Sequence, residues 1–444
     1  MNALGWLKSK KKSIAKIASQ TPILGPQLSQ EEIVSKRAAL LQSKAPVDVR
    51  ELMELYTVEE LCDTAEDYYR NATDTTGLLA KPYVCMAETP ELLAIFSQLL
   101  LGIKPVAGLD ILDFGAGPGW ASHALTSLGA KMILSDVSES GLKIAAERFN
   151  KNPIFGTHVP PKYLHFNGRK LDLPDASVDR IICIDAFHHI PNPAEVLAEM
   201  ARILRSGGIA AFAEPGPKHS WSPGAQYEMR HHQVVENDVV VEDIWEMAKQ
   251  VGFGDIRFAV FSSSPLHVSL DEFNEFLEGG KTCSQYLQTA KHYMQNSRRL
   301  FFLTKGEARP LDSRSGEGLN ASISIGDQEL MFTVGTSFKL SVTVRNTGTA
   351  YWLPSSQGLG SVWLGIHLHN SSENSTKVGF FTCPLPIDET DGLMPGRSVT
   401  FEVELEAMET PGKYSLEFDL VSQQIAWFHS CGSKTIQRRL EVVS

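Results

Sequence analysis

The chain has 444 residues, enough for two or three domains with sizeable cores. Its formal net charge of −11 argues against a nucleic acid as partner, because phosphate binding needs concentrated Lys and Arg. Six cysteines, Cys62, Cys85, Cys183, Cys283, Cys383 and Cys431, stand far apart without a C-x-x-C pair; this excludes the common zinc and thiol-redox motifs and fits a reducing, cytoplasmic setting.

Residues 1–28 read as a basic tail. The first twenty hold five lysines and no acid, with Leu4, Trp6, Leu7, Ile14 and Ile17 interspersed. The composition suits a solvated tail, or weak contact of residues 1–20 with an anionic membrane surface. The segment lacks the apolar run of a secretion signal, and no stretch of the chain reaches the roughly 20 apolar residues that cross a bilayer.

Residues 29–105 read as a helical cap or lid. Ser29 and Glu32 have capping-box spacing, and Thr89 before Pro90 marks another helix start. Within this region DYYRNATDTTGLLAKPY (67–83) is placed to fold over a ligand, with Tyr68 and Tyr69 as contact or packing residues.

From Leu109 short apolar runs alternate with helical stretches, the pattern of βαβ units. Strands are expected at 109–114, 131–136, 160–167, 178–186, 207–215, 253–261 and 299–306. Helices are expected at 118–128, 138–149, 193–204 and 241–251, the first with Trp120, Ala124, Leu125 and Leu128 inward. A helical insertion at 268–297 falls outside the pattern. Residues 106–306 are thus an α/β domain, and the Ser- and Gly-rich stretch 307–319 is a linker. In 320–444 apolar residues recur at every second position, as in Phe338, Leu340, Val342 and Val344, between NTG, MPG and TPG turns. That spacing predicts an all-β sandwich.

The stretch LDILDFGAGPGW places Gly115, Gly117 and Gly119 at the turn from the first strand into the first helix. Glycines tolerate φ > 0 and let a ligand approach bare backbone, and the helix N-terminus favours an anionic group. Asp136 ends the second strand about 20 residues later, where an acid accepts from ribose hydroxyls. These features alone leave a nicotinamide dinucleotide and S-adenosylmethionine both open. The spacing, however, is G-x-G-x-G, with Asp113 ahead of it to meet an ammonium that a dinucleotide lacks.

At this point the sequence resembles the class I S-adenosylmethionine-dependent methyltransferases. The resemblance rests on LDFGAGPGW, SDVS, LDLPDASVDRI, DAFHHIPNPAEVLAEMARILRSGG and AEPGPKHS, and covers roughly residues 80–305. It implies a Rossmann-like seven-stranded sheet whose last strand, RLFFLTKG, is antiparallel, and S-adenosylmethionine as cofactor. By it Asp113, Gly115, Ala116, Gly117 and Gly119 cradle the methionine end, and Asp136 and Val137 hold the ribose and adenine edge. Asp172 beside Leu173 faces the adenine amino group, and Asp185 lines the pocket by the sulfonium. Gly168-Arg169-Lys170 departs from the family pattern and displaces the acid toward Leu173.

Methyl transfer from a sulfonium needs mainly alignment, plus a base when the acceptor carries a proton. The candidates are His189 first, then His188 and Glu214, with His219 nearby. His219, Glu228, His231 and His232 match no standard ligand spacing, so no metal is expected.

The C-terminal strands resemble immunoglobulin-like modules of polysaccharide-biosynthesis enzymes. This implies a glycan acceptor held near the active site by a tethered module, with Trp352, Trp363 and Trp427 as stacking or core residues. Three readings follow. The first is O-methylation of a sugar or glycan intermediate. The second is methylation of a small metabolite or lipid, the sandwich serving dimerisation. The third is a non-catalytic glycan-binding protein on a methyltransferase scaffold.

Overall fold

The computed structural model describes residues 28–156, 158–262, 266–326, 330–370, 375–389 and 392–444. The basic segment 1–27, with the proposed membrane contact of residues 1–20, lies outside the described residues. Among the described residues no helix is long and apolar enough to cross a membrane.

Five helices open the described chain: α1 (Gln30–Gln42), α2 (Val49–Glu54), α3 (Val58–Arg70), α4 (Thr76–Ala80) and α5 (Thr89–Ile103). The Ser29 hydroxyl accepts from the Glu32 amide, and the Glu32 carboxylate accepts from the Ser29 amide, so the expected capping box forms. Thr57 and Glu60 close a second box on α3. Thr89 is not a cap. It is the first residue of α5, and its hydroxyl donates to the Pro82 carbonyl.

The central domain alternates β1 (Asp110–Phe114), α6 (Trp120–Ser127), β2 (Lys131–Asp136), α7 (Glu139–Lys151), β3 (Lys162–His165), β4 (Val178–Ile184), α8 (Pro193–Ile203) and β5 (Leu204–Pro215). It continues through α9 (Pro223–His231), α10 (Val241–Gln250), β6 (Phe253–Phe258), α11 (Leu270–Leu277), α12 (Lys281–Asn296) and β7 (Arg298–Lys305). The seven strands order as β3-β2-β1-β4-β5-β7-β6, with β7 antiparallel to both neighbours. This is the expected Rossmann-like sheet. Apolar clusters cover both faces, one built around Phe212, Phe301 and Met200, the other around Ile111, Leu125 and Leu134. A sheet buried on both sides explains why its strands read as continuous apolar runs.

One local expectation fails, and one helix falls outside the expected set. The buried face of α6 is Ala121, Ser122, Leu125 and Thr126, while Leu128 lies just past the helix end and is exposed. Helix α9 lacks a clear apolar stripe in sequence. It forms because Ser222 caps it and Met229 packs on Leu52 and Leu61 of the cap.

Beyond residue 320 two sheets pack together. One orders β13 (Ser398–Leu405), β10 (Phe338–Asn346) and β8 (Ala321–Ile325). The other orders β12 (Ser375–Pro384), β11 (Val362–Asn370), β14 (Gly412–Ser422), β16 (Ile436–Val443) and β9 (Leu330–Thr333), with β15 (Ala426–Trp427) beside β14. Their inward residues, among them Val342, Leu364, Phe418 and Leu440, make one core. Trp352 is fully buried in it against Phe428, so it cannot stack on a sugar; Trp363 and Trp427 are half-buried.

The sandwich meets the sheet at the amino ends of its parallel strands. Lys104 pairs with Glu317 at 2.7 Å, and a Cβ on Gly108 would stand 3.1 Å from Leu359. A Cβ on Gly207, early in β5, would stand 2.6 Å from Arg309. The strands span roughly 20 Å from there to their carboxyl ends. These contacts seat the sandwich beside the amino ends of the strands, the edge opposite the one where the tethering expectation places the ligand.

Candidate functional site

A cleft of about 560 Å³ opens along the carboxyl edge of the sheet, roofed by α3 and by the segment around α9. Open α/β sheets bind ligands at this edge, and the volume suits a nucleoside-sized molecule with room for an acceptor.

The glycine turn forms its floor. Gly115, Gly117 and Gly119 all have positive φ, but each serves differently. Gly115 lines the cleft, with a notional Cβ 2.4 Å from Ala186. Above Gly117 sits Tyr69, its hydroxyl 2.6 Å from where a Cβ would be. Gly119 is required by packing, because a Cβ there would meet Leu134 and Ala145. Only Gly115 of the three lines the cleft in this structure; Ala116 is buried.

Asp136 and Val137 do line it. The Asp136 carboxylate accepts from the Gly117 amide at 2.7 Å and the Ser138 amide at 2.9 Å, and burial raises its pKa above the ordinary carboxylate value. Asp113 lies beneath the turn instead of along the cleft wall, accepting from the Ser122 hydroxyl at 2.7 Å. Burial pushes its carboxyl up to about 7. Asp172 is exposed and outside the cleft, and Leu173 packs on the sheet core instead. With Gly168-Arg169-Lys170 in place of the family pattern, the acid stands at 172 and faces solvent.

Asn192 takes that neighbourhood over. Its Nδ2 donates to the Gly168 carbonyl at 3.0 Å and to Glu195 at 2.8 Å, which fixes the amide orientation. Its Oδ1 is buried at the cleft without a partner. In sequence Asn192-Pro193 signals only a helix start, yet the side chain makes no cap bond.

Asp185, at φ +51 beyond β4, reaches the cleft and pairs with Arg298 of β7. Burial alone would raise its carboxyl; the guanidinium overrides this and holds it below the ordinary value. Arg298 also reaches Glu91 at 3.3 Å.

Glu214 is not open to the cleft. Fully buried, it accepts from the amides of Ala186, Phe187 and His188 at 3.2, 2.9 and 3.3 Å, and from His188 Nδ1 at 2.7 Å. It shapes the loop after β4, which removes it as a base. His188 keeps its Nε2 toward Glu236 Oε2, 3.5 Å away. Burial lowers the pKa of His188, but the carboxylates around it raise the net value above that of an ordinary histidine. His189 lies 2.7 Å from the Val235 carbonyl through Nδ1 and 3.6 Å from Glu236 Oε1. Burial, with His188 beside it, pushes it down to about 4. His219 Nε2 meets Glu236 Oε2 at 2.6 Å. Four groups thus converge at one end of the cleft, with Glu236 as hub. His231 does not join them: it is exposed and stacks on Tyr227. Glu236 was not foreseen, because nothing in VVENDVVVED sets it apart from Asp238, Glu242 and Asp243.

Residues 112–212 match the family described as a methyltransferase domain. An uncharacterized methyltransferase of Mycobacterium sp. (strain KMS) is 27% identical over 186 residues, covering 42% of this chain and 62% of that protein. The ubiquinone biosynthesis O-methyltransferase of Thiobacillus denitrificans is 30% identical over 109 residues, covering 24% of this chain and 45% of that protein. The chain thus spans less than two thirds of the length of either relative. Among solved structures, an S-adenosylmethionine-dependent methyltransferase from Mesorhizobium loti is similar at 19% identity and a TM-score of 0.36, covering 49% of this chain and 98% of that one. The family match falls on the glycine turn, Asp136 and the loop after β4 of this Rossmann-like sheet.

Proposed function

We propose that the chain binds S-adenosylmethionine along the Gly115–Asp136 side of the cleft and methylates a hydroxyl of a small polar acceptor, a sugar or sugar-linked intermediate, at the histidine end. The observation that carries this reading is one continuous cleft with bare backbone and a buried acid at one end and an imidazole–carboxylate cluster at the other. The residues present fit the cofactor. Asp136 would accept from the ribose hydroxyls, Val137 and Phe166 would flank the base, and Asn192 Oδ1 is an unused acceptor for its amino group. Asp185, kept ionised by Arg298, would face the positively charged end.

S-adenosylmethionine, when bound, would supply an activated methyl group to the acceptor oxygen, with a neutral thioether as its leaving group. The protein's part is alignment, exclusion of water and removal of one proton. Helix α3 and Tyr69 cover the turn and exclude water there. The cluster of His189, His188, His219 and Glu236 receives the hydroxyl proton; His189 is neutral at pH 7 and so has a free lone pair.

The placement of the sandwich at the far edge favours a small acceptor that diffuses into the cleft over a polymer presented by the same chain. Calorimetric titration with S-adenosylmethionine and product assays with sugars, sugar phosphates and small alcohols test the reading. Binding followed by formation of S-adenosylhomocysteine with a hydroxyl acceptor is expected. A protein that ignores the sulfonium compound defeats it, and binding without turnover on any hydroxyl shifts the proposal to the non-catalytic reading.

A further inference from the structure

The histidine end of the cleft has an arrangement that proton transfer does not require. His188, His189 and Glu236 each place one ligand-capable atom within 4.8 Å of the other two. His188 Nε2 and His189 Nδ1 lie 3.5 and 3.6 Å from the two oxygens of Glu236. Neither pair makes a hydrogen bond in this structure, whereas His219 does. Two ligands on a tetrahedral cation with bonds near 2.0–2.1 Å stand about 3.3–3.4 Å apart. The two observed gaps run to different oxygens of Glu236 and exceed that spacing by a few tenths of an ångström.

The surrounding hydrogen bonds point the same way. Glu214, itself held by three backbone amides, accepts from His188 Nδ1, which fixes the tautomer that leaves the Nε2 lone pair toward Glu236. A carboxylate behind a histidine ligand is the usual outer support of a metal site. His219 performs a parallel service for Glu236, orienting its carboxylate from the far side at 2.6 Å. The donors come from separate segments, the loop after β4 and the segment beyond α9, and all face the cleft.

We propose that His188, His189 and Glu236 form a binding site for a first-row divalent transition-metal ion at the acceptor end of the cleft. Binding moves the His189 proton from Nδ1, where it faces the Val235 carbonyl, to Nε2, so that hydrogen bond is given up and the imidazole stays neutral. Two imidazole nitrogens and one carboxylate select such ions over Mg²⁺ and Ca²⁺, which prefer oxygen ligands. Three protein ligands leave open positions, which a hydroxyl-bearing acceptor fills, its proton made more acidic by the cation. This role in turnover rests on the methyl-transfer reading; the site itself does not.

A second imidazole group, His367, Asp419 and His429 on the sandwich, supplies the internal control. There His429 Nδ1 and Asp419 already touch at 2.6 Å, and the His367 Nδ1 lone pair accepts from the Gly379 amide.

The test is titration of the full chain with Co²⁺, without cofactor, followed by visible absorption and calorimetry. One equivalent is expected, with Mg²⁺ not competing. Glu236→Gln and His189→Ala should each weaken binding roughly tenfold or more, and His429→Ala should leave it unchanged. Absence of Co²⁺ binding overturns the proposal, as does binding that survives both cleft variants or disappears in His429→Ala. S-adenosylmethionine affinity is measured on the same samples: if it persists while Co²⁺ binding is absent, only the metal site fails, and if it is absent while Co²⁺ binds, only the methyl-transfer reading fails. Retained cofactor affinity in either cleft variant shows that the cleft has folded.

Discussion

The Gly117 amide donates to the Asp136 carboxylate across 2.7 Å, so the turn after β1 is fastened to the tip of β2 through the same acid that a ribose would engage. Replacing Asp136 with Ala removes both the ligand's acceptor and the turn's anchor. Hydrogen bonds to a charged group contribute about 1.5–3 kcal/mol each, so cofactor affinity should fall roughly tenfold or more for each bond lost. Asp136→Asn, which keeps one acceptor oxygen, should fall between the two. Calorimetric titration of the three proteins with S-adenosylmethionine decides; equal affinities would remove Asp136 from the site.

Tyr69 closes over the same turn from the cap. A Cβ on Gly117 would stand 2.6 Å from its hydroxyl, at φ +46. Gly117→Ala should therefore lower both the thermal midpoint and cofactor affinity, with strain on the order of 1–3 kcal/mol. Tyr69→Phe removes the clashing oxygen, so the double variant should recover part of the loss. Strict additivity in the cycle would mean that α3 does not press on the turn.

Asp113 makes stability pH-dependent in an unusual direction. An aspartate titrates near 3.9 in an unfolded chain, and burial pushes this one up to about 7. The folded state therefore binds the extra proton: the residue's contribution is full below about pH 4 and is lost as pH rises through about 7. Asp113→Asn, which keeps an acceptor for Ser122, should flatten the change in thermal midpoint between pH 5 and pH 8. A variant with the wild-type slope would assign that slope to other groups.

The sheet was legible because both its faces are buried, so strands such as Lys131–Asp136 stand out as apolar runs between glycine, cap and proline signals. Gly115, Asp136 and Asp185 were legible because strand ends and turns fix where they project. Contacts that depend on distant segments were not. Tyr69 reaches Gly117, and Arg298 reaches Asp185, only after the cap and the antiparallel strand have docked. Glu214 looks in sequence like an exposed strand-end acid, yet three backbone amides make it part of the loop's scaffold. Glu236 belongs to no periodic element, and its role follows only from the three imidazoles that surround it.

Asn192 shows how an orphaned atom can report on a ligand. Its Nδ2 is committed to Gly168 and Glu195, so its Oδ1 is left buried beside the cleft as an acceptor without a donor. A buried polar atom left in this state costs about 1–3 kcal/mol, which a bound donor would return. The adenine amino group is the donor that the proposed cofactor brings to this side. S-inosylhomocysteine carries an acceptor oxygen in its place and should bind the wild-type protein roughly tenfold more weakly than S-adenosylhomocysteine. In Asn192→Ala the two ligands should bind with similar affinity, because the group that tells them apart is gone. Discrimination that persists in the variant would place the adenine reader elsewhere along the Phe166–Gly168 wall.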